Sequence, residues 1–186
     1  NTTGDYNTAL GSSALTNNTT GTLNTAVGQS TLFSNTTASN NTAVGYNALN
    51  ANTTGTANVA VGAYALDSST TTNNSVAVGY YALTTQTTGY NNVALGNYCL
   101  RYNTEGLENV AVGYNAMEDN TSGDYNVGVG RNALANNTTA SHQTAVGYKA
   151  GEDITTGQQN TAVGSQALMN GTTAAQNVSL GAFTLQ

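Results

Sequence analysis

Eleven glycines recur at intervals of 17 residues along the whole chain, and this spacing limits the possible folds more than any other feature. The segments between them repeat one consensus, N-T-T-G-x-x-N-[TV]-A-V-G-x-x-A-L-x-x, without an insertion. Its positions are numbered 1 to 17, so that the glycines stand at position 11. Such internal repetition indicates an array of stacked units. We therefore predict a single repeat array over residues 1–186, with eleven units and no distinct caps. The glycines are Gly11, Gly28, Gly45, Gly62, Gly79, Gly96, Gly113, Gly130, Gly147, Gly164 and Gly181.

The unit is too short for a helix pair, which needs about 33 residues. Positions 7 to 10 alternate in the manner of a strand, as in Asn58-Val59-Ala60-Val61. A second apolar pair, usually Ala-Leu, follows at positions 14 and 15, and N-T-T-G has the composition of a turn. Two short strands and two turns make one coil of a β-solenoid. We predict an all-β parallel β-roll of eleven coils, spaced about 4.8 Å apart in a rod roughly 50 Å long.

The composition taken alone resembles that of a disordered chain. Among 186 residues there are only 14 Leu, 14 Val, one Ile and two Phe, and the formal net charge is −6. Stacking changes this conclusion, because each coil is covered by its neighbours and needs few aliphatic side chains. No apolar run approaches the roughly 20 residues of a membrane-spanning helix, so we expect no membrane insertion.

Several columns of identical residues predict how the coils stack. Positions 8, 10 and 15 carry Thr or Val, Val or Leu, and Leu, and we predict that these three columns form the core. Asn at position 7 is predicted to form a hydrogen-bonded ladder, as in other in-register stacks. Thr occupies position 2 in every unit, and stacking on itself would explain this identity without a ligand.

Position 9 is small in every unit although alternation turns it away from the predicted core. Two interpretations are open: close packing against another copy of the chain around a symmetry axis, or a thin second core layer inside the same coil. We predict the first. The predicted oligomer interface consists of Ala26, Ala43, Ala60, Ala77, Ala94, Ala111, Ala145 and Ala162.

Tyrosines form the one pattern that suggests ligand binding. They recur at position 12 in every second unit and run consecutively at position 13. Amphipathic rings on a regular rod would offer contacts to sugars or to a protein. Packing between coils or at a subunit interface is the alternative. The candidate ligand-binding residues are Tyr46, Tyr80, Tyr114 and Tyr148 at position 12, and Tyr64, Tyr81 and Tyr98 at position 13.

We expect no enzyme, no metal and no cofactor. The only histidine, His142, stands in a variable turn, and the only cysteine, Cys99, takes a position where Ala is usual and is predicted to be a small buried residue. Two acidic pairs, at 118–119 and 152–153, are too few for a calcium site and are predicted to be solvated. With three basic residues in the chain, nucleic-acid binding is not expected.

Two further possibilities follow from the abundance of Asn and Thr. Ice binding by threonine arrays is a remote alternative, since Thr-Thr at positions 2 and 3 is contiguous and does not form a Thr-x-Thr array. Asn-x-Thr/Ser sequons at position 1 leave a glycan coat open. They include Asn18, Asn35, Asn52, Asn120 and Asn137.

The strand motif N-[TV]-A-V-G, as in Asn24-Thr25-Ala26-Val27-Gly28, resembles the head repeats of YadA-like trimeric autotransporter adhesins. Related N-T-A-V-G-x-x-A-L repeats occur in phage tail fibres and other surface fibres. The resemblance covers all eleven units, although the period of 17 is longer than is usual in those heads. It implies a left-handed parallel β-roll and a homotrimer.

We therefore expect an extracellular structural rod on a cell or virion surface. Its expected partner is the chain itself, as a homotrimer or an end-to-end filament. The alternative function is an adhesin or carbohydrate-binding fibre module that uses the tyrosines to contact a surface glycan or a host cell.

Overall fold

The computed structural model describes residues 2–185 as a single parallel sheet of eleven strands without a helix. Each strand is three residues long and covers positions 8 to 10 of one unit. In chain order the strands are β1 (Thr8–Leu10), β2 (Thr25–Val27), β3 (Thr42–Val44), β4 (Val59–Val61), β5 (Val76–Val78), β6 (Val93–Leu95), β7 (Val110–Val112), β8 (Val127–Val129), β9 (Thr144–Val146), β10 (Thr161–Val163) and β11 (Val178–Leu180).

Every strand pairs with the next one in the chain, and equal repeat positions lie opposite each other. Ala60 of β4, for example, lies opposite Ala43 of β3 and Ala77 of β5. Because the strands run parallel and each advance along the sheet takes 17 residues, the chain closes one coil per repeat. The predicted β-solenoid is confirmed.

The second predicted strand is wrong, because each coil contains only one. Position 13 and position 15 both take a positive φ, as at Tyr64 (60°) and Leu66 (51°), and left-handed residues break the extended geometry of a strand. This segment still joins the coils through its backbone. The N–H of Tyr64 donates to the carbonyl of Tyr46 at 2.9 Å, and the N–H of Leu66 donates to the carbonyl of Ala82 at 3.0 Å.

The core lies inside the coils and consists of positions 9, 14 and 15. The prediction for position 15 is confirmed, since Leu32, Leu49 and Leu83 are fully buried. The prediction for positions 8 and 10 is wrong. Their side chains point outward, and Val78 and Leu95 are each 37% exposed. The strand therefore buries the opposite face to the one expected, and the alanine at position 9 points inward.

Position 9 is small because the leucine column faces it across a narrow interior. At Gly128, a Cβ would stand only 2.9 Å from Cγ of Met117, which holds position 15 of the preceding coil. The predicted oligomer interface at position 9 is therefore wrong, because these side chains are buried within their own chain. They are Ala26, Ala43, Ala60, Ala77, Ala94, Ala111, Ala145 and Ala162, each at most 1% exposed.

Two asparagine columns hold the coils together from within. At position 7, the N–H of Asn58 donates to Oδ1 of Asn41 (2.9 Å) and its Nδ2 donates to the Thr72 carbonyl (2.7 Å). At position 1, Nδ2 of Asn35 donates to Oδ1 of Asn18 (2.8 Å). The predicted ladder at position 7 is confirmed, and the ladder at position 1 adds a second. Each satisfies buried polar groups that would otherwise be costly.

Threonine at position 2 also joins successive coils. Oγ1 of Thr19 donates to the carbonyl of Thr36 (2.9 Å), and the same bond recurs from coil to coil, as between Thr121 and Thr138 (2.9 Å). The identity of this column is thus explained by a hydrogen bond to the following coil.

Candidate functional site

Six of the seven predicted tyrosines meet in one cluster on coils 3 to 7, and the seventh, Tyr148, makes no ring contact with them. The members of this tyrosine cluster are Tyr46, Tyr64, Tyr80, Tyr81, Tyr98 and Tyr114. The clustering follows from the repeat, because equal positions in successive coils stack along the rod.

The position-13 rings form a stacked ladder. Tyr64 and Tyr81 have ring centroids 4.7 Å apart and planes 14° apart. Tyr81 and Tyr98 continue the ladder at 6.1 Å and 8°. Because each ring comes from the next coil, the direction of stacking is the rod axis.

The position-12 rings stand nearly perpendicular to this ladder. Tyr80 meets Tyr81 at 4.4 Å and 87°, and Tyr114 meets Tyr98 at 5.9 Å and 84°. Edge-to-face contacts of this kind are a preferred aromatic arrangement. Tyr80 and Tyr114 nevertheless stay 41% and 46% exposed, so the packing between coils leaves much of their surface open.

Three charged residues, Arg101, Glu118 and Arg131, join the cluster, and none was a predicted site residue. The guanidinium of Arg131 lies over the ring of Tyr114 (5.7 Å). The guanidinium of Arg101 lies over the ring of Tyr81 (5.3 Å), of Tyr98 (5.2 Å) and of Tyr102 (4.8 Å), and 3.6 Å from Glu118. Arg101 and Glu118 both occupy position 16 in consecutive coils. Equal positions of consecutive coils lie side by side, so the register that brings the tyrosines together also brings these two charges together.

Burial raises the pKa of three side chains in this region, Tyr64, Tyr80 and Glu118. Desolvation raises the pKa of Tyr64 and of Tyr80 above the ordinary value, and the neighbouring phenols reinforce the shift. Desolvation also raises the pKa of Glu118, with help from Asp119 and against the effect of Arg101. The phenols of Tyr64 and Tyr80 are therefore neutral hydrogen-bonding groups at physiological pH.

These side chains surround a shallow surface depression of about 380 Å³. Aromatic rings and polar groups line it together, so it offers both stacking surfaces and hydrogen-bonding groups to a ligand. The lining residues are Tyr80, Tyr81, Tyr98, Arg101, Tyr114, Asn115 and Glu118.

A second candidate surface is the outward face of the sheet, here called the outer strip. It consists of two parallel columns without a charged residue, and in coils 4 to 8 both columns are aliphatic. The strip comprises Thr8, Thr25, Thr42, Val59, Val76, Val93, Val110, Val127, Thr144, Thr161 and Val178 at position 8, with Leu10, Val27, Val44, Val61, Val78, Leu95, Val112, Val129, Val146, Val163 and Leu180 at position 10.

Other reactive or ionisable side chains outside the cluster are buried or contact a neighbouring side chain. Cys99 is buried as predicted, and desolvation raises the pKa of its thiol to about 12. His142 is exposed, as predicted, and stacks on Tyr125 with ring centroids 5.1 Å apart. Glu152 pairs with Lys149 at 3.1 Å.

The sequon asparagines named above at position 1 are not available for glycosylation in the folded chain. They stand in the buried ladder at position 1 and are at most 2% exposed. Nδ2 of Asn120 donates to Oδ1 of Asn103 (2.7 Å) and to the Gly123 carbonyl (3.1 Å), so the nitrogen that would carry a glycan is already bonded inside the coil.

Comparisons with known proteins add no relative, since no family model, curated protein or solved structure matches the chain. Within residues 2–185, no three His, Cys, Asp or Glu side chains come together as a possible metal site. The same residues contain no helix of the length and apolarity needed to cross a membrane.

Proposed function

We propose that this chain is a rigid structural rod that associates side by side with copies of itself through the outer strip. The observation that carries the proposal is the outward direction of positions 8 and 10. These columns place valine, leucine and threonine methyl groups on the surface, where a solitary rod gains nothing from them.

The geometry of the strip suits association with an identical surface. All rows have the same spacing because the strands pair in register, so two or three parallel rods can match row for row around an axis along the rod. The centre of an interface is depleted in charged residues, and the strip contains none. The resemblance to trimeric adhesin heads favours three copies.

We further propose an extracellular setting, on a cell or virion surface. A rod with only three basic residues offers trypsin-like proteases few sites, which suits an exposed fibre. The three cations are also held against aromatic rings: Arg101 over Tyr98, Arg131 over Tyr114, and Lys149 over Tyr148.

The test is the mass of the chain in solution. Sedimentation velocity of the purified chain is expected to give a discrete oligomer of the 18.9 kDa unit. Changing Val78→Lys together with Leu95→Lys places two charges in the middle of the strip. This variant is expected to sediment as a monomer, because desolvating unpaired ammonium groups at an interface costs several kcal/mol.

A matched variant separates the interface from the added charge. Ser68→Lys together with Asn136→Lys adds the same charge at two exposed residues of position 17 and is expected to keep the oligomer. Circular dichroism should show the same sheet content in all three proteins. A monomeric parent chain, or an oligomer that survives the strip substitutions, would contradict the proposal.

A further inference from the structure

The exposed tyrosine rings of the cluster present aromatic surface along the rod. The ladder rings stack along the rod axis, and Tyr80 is perpendicular to both Tyr81 (87°) and Tyr98 (82°). The planes of the ladder rings lie across the rod axis, so the plane of Tyr80, perpendicular to them, runs parallel to that axis. A flat ligand that stacks on Tyr80 would therefore extend along the rod and reach the neighbouring coils.

Polar groups lie beside this aromatic surface. Asn115, Arg101 and Glu118 line the same depression and offer amide, guanidinium and carboxylate groups to a ligand. Arg101 and Glu118 lie 3.6 Å apart and largely offset each other's charge. The depression therefore has many hydrogen-bonding groups and little net charge.

These properties disfavour cationic ligands and nucleic acids and favour neutral sugars. A cationic ligand is disfavoured because the Arg101 guanidinium already lies over three rings. A nucleic acid is disfavoured by the net charge of −6. A neutral sugar fits, because the C–H groups on the face of a pyranose pack against the negative face of an aromatic ring while its hydroxyls reach polar neighbours.

The spacing of the exposed rings indicates the shape of the sugar chain. Tyr80 and Tyr114 hold position 12 in coils 5 and 7, two coils or about 10 Å apart along the rod. This distance is close to the length of one disaccharide unit in an extended, β-1,4-linked glycan. An α-linked chain that curls into a helix would not meet both rings with equivalent faces.

We infer that the depression around Tyr80, Tyr98, Tyr114, Arg101 and Glu118 binds an extended, neutral β-1,4-linked glycan along the rod. Tyr80 and Tyr114 are the stacking platforms, Tyr114 through the ring face opposite Arg131. Arg101 and Glu118 hold the rim and contact hydroxyl groups. This site is separate from the outer strip, so it goes beyond the proposed structural function.

The experiment titrates the full chain with cellohexaose and with fully N-acetylated chitohexaose, and with maltohexaose as the α-linked comparison. Isothermal calorimetry measures binding, and the chain contains 11 Tyr and no Trp, so tyrosine emission gives an independent signal. At least one β-linked probe is expected to bind saturably at millimolar concentration. Equal binding of maltohexaose would overturn the inference that the glycan is extended.

Variants at position 12 locate the site. Tyr80→Ala is expected to weaken binding about tenfold or more, because a stacking platform is lost. Tyr148→Ala is the matched control, since Tyr148 has the same repeat position and 43% exposure but no ring contact with the cluster. It is expected to keep the affinity within about twofold. Tyr80→Phe should retain most of the affinity, since stacking needs the ring and not the hydroxyl.

The failure of this inference can be told from failure of the structural proposal. Absence of saturable binding by both β-linked probes, or equal losses in Tyr80→Ala and Tyr148→Ala, would overturn the glycan site whatever the mass of the chain. The oligomer mass of Tyr80→Ala, measured in parallel, should equal that of the parent, because the outer strip is unchanged.

Discussion

Where a buried residue departs from the consensus, a second residue nearby also departs from it and compensates for the first change. Met117 replaces a core leucine, and its side chain fills the space that Gly128 leaves in the following coil. Ser75 is too short for the asparagine ladder, and Nε2 of Gln86 reaches its Oγ at 3.2 Å. Each interior site of a coil has a fixed volume and a fixed number of polar partners, so one change calls for another.

Gly151 and Ile154 form the clearest such pair. The sequence predicts a void at Gly151, where leucine is usual, and suggests that Ile154 fills it. The structure confirms this: Ile154 is 1% exposed, and its Cδ1 lies 3.0 Å from where a Cβ of residue 151 would stand. The exchange removes a donor from the ladder, because Ile154 holds the asparagine position and Oδ1 of Asn137 is left without a partner.

Restoring the consensus residue at both sites should therefore preserve stability, whereas either substitution alone should reduce it. Gly151→Leu alone is expected to destabilise by about 1–3 kcal/mol through crowding against Ile154. Ile154→Asn alone opens a void and is expected to cost a similar amount. The backbone already suits leucine, since φ at residue 151 is 59° and the leucines of this column have φ near 50°.

The double variant is expected to be at least as stable as the parent chain, because it supplies both the leucine and the missing donor. Urea unfolding of all four proteins gives the coupling energy, expected to exceed about 1 kcal/mol. Additive losses in the double variant would show that the two sites are independent.

At the scale of the element, the asparagine ladders join successive coils in addition to the backbone bonds of the strands and turns. A strand of three residues contributes few backbone bonds, whereas the asparagine columns add side-chain bonds in the buried interior. Around Asn109, Oδ1 of Asn92 accepts its N–H (2.9 Å), its Nδ2 donates to the Gly123 carbonyl (2.8 Å), and its Oδ1 accepts the N–H of Asn126 (3.0 Å).

Asn109→Ala is expected to destabilise the chain by about 1–3 kcal/mol, because it leaves the buried N–H of Asn126 without its acceptor, while the Gly123 carbonyl keeps only Nδ2 of Asn120. Asn136→Ala is the control. Asn136 is exposed and its side chain bonds only to Asp153, so its loss should change stability by less than about 0.5 kcal/mol. Comparable losses in the two variants, measured by thermal or urea unfolding, would contradict a stabilising role specific to the ladder.

Repeat columns were sufficient to predict the stacking, but not which face of the strand is buried. Identity at equal positions translates directly into parallel, in-register coils, so the solenoid, the leucine column and the asparagine ladder were all predictable. Alternation says only that positions 8 and 10 share a face. The choice between the two faces depends on the space opposite, where the leucine column leaves room for alanine but not for valine.

The tyrosine cluster could be predicted in part for the same reason. Tyrosines in one column stack, so their meeting follows from the register. The contact between Arg101 and Glu118 was not predicted, because position 16 has no consensus and the sequence places Glu118 in an acidic pair with its neighbour Asp119. Their contact is a property of the column and becomes visible only when the variable positions of consecutive coils are compared.

At the scale of the whole molecule, stability is transmitted from coil to coil, because each coil contacts only its two neighbours. The glycine column at position 11 marks the closest approach between them. At Gly96, φ is 143° and a Cβ would stand 2.3 Å from the carbonyl oxygen of Gly113. No side chain fits there without moving the backbone of the next coil, so this column fixes how tightly the rod can stack.

Gly96→Ala is therefore expected to interrupt the rod between coils 6 and 7. The unfolding midpoint should fall by an amount equivalent to about 3 kcal/mol or more, and the single transition should broaden as the two halves lose their coupling. The matched variant is Gly181→Ala at the same repeat position of the last coil. Gly181 also has a positive φ (114°), but the nearest atom to a Cβ there is Cγ2 of Thr184 at 3.4 Å, so this change should cost less than Gly96→Ala because it lacks the clash with a following coil. Because both variants add one methyl group to one coil, equal effects in denaturant unfolding would mean that the glycine column does not control stacking.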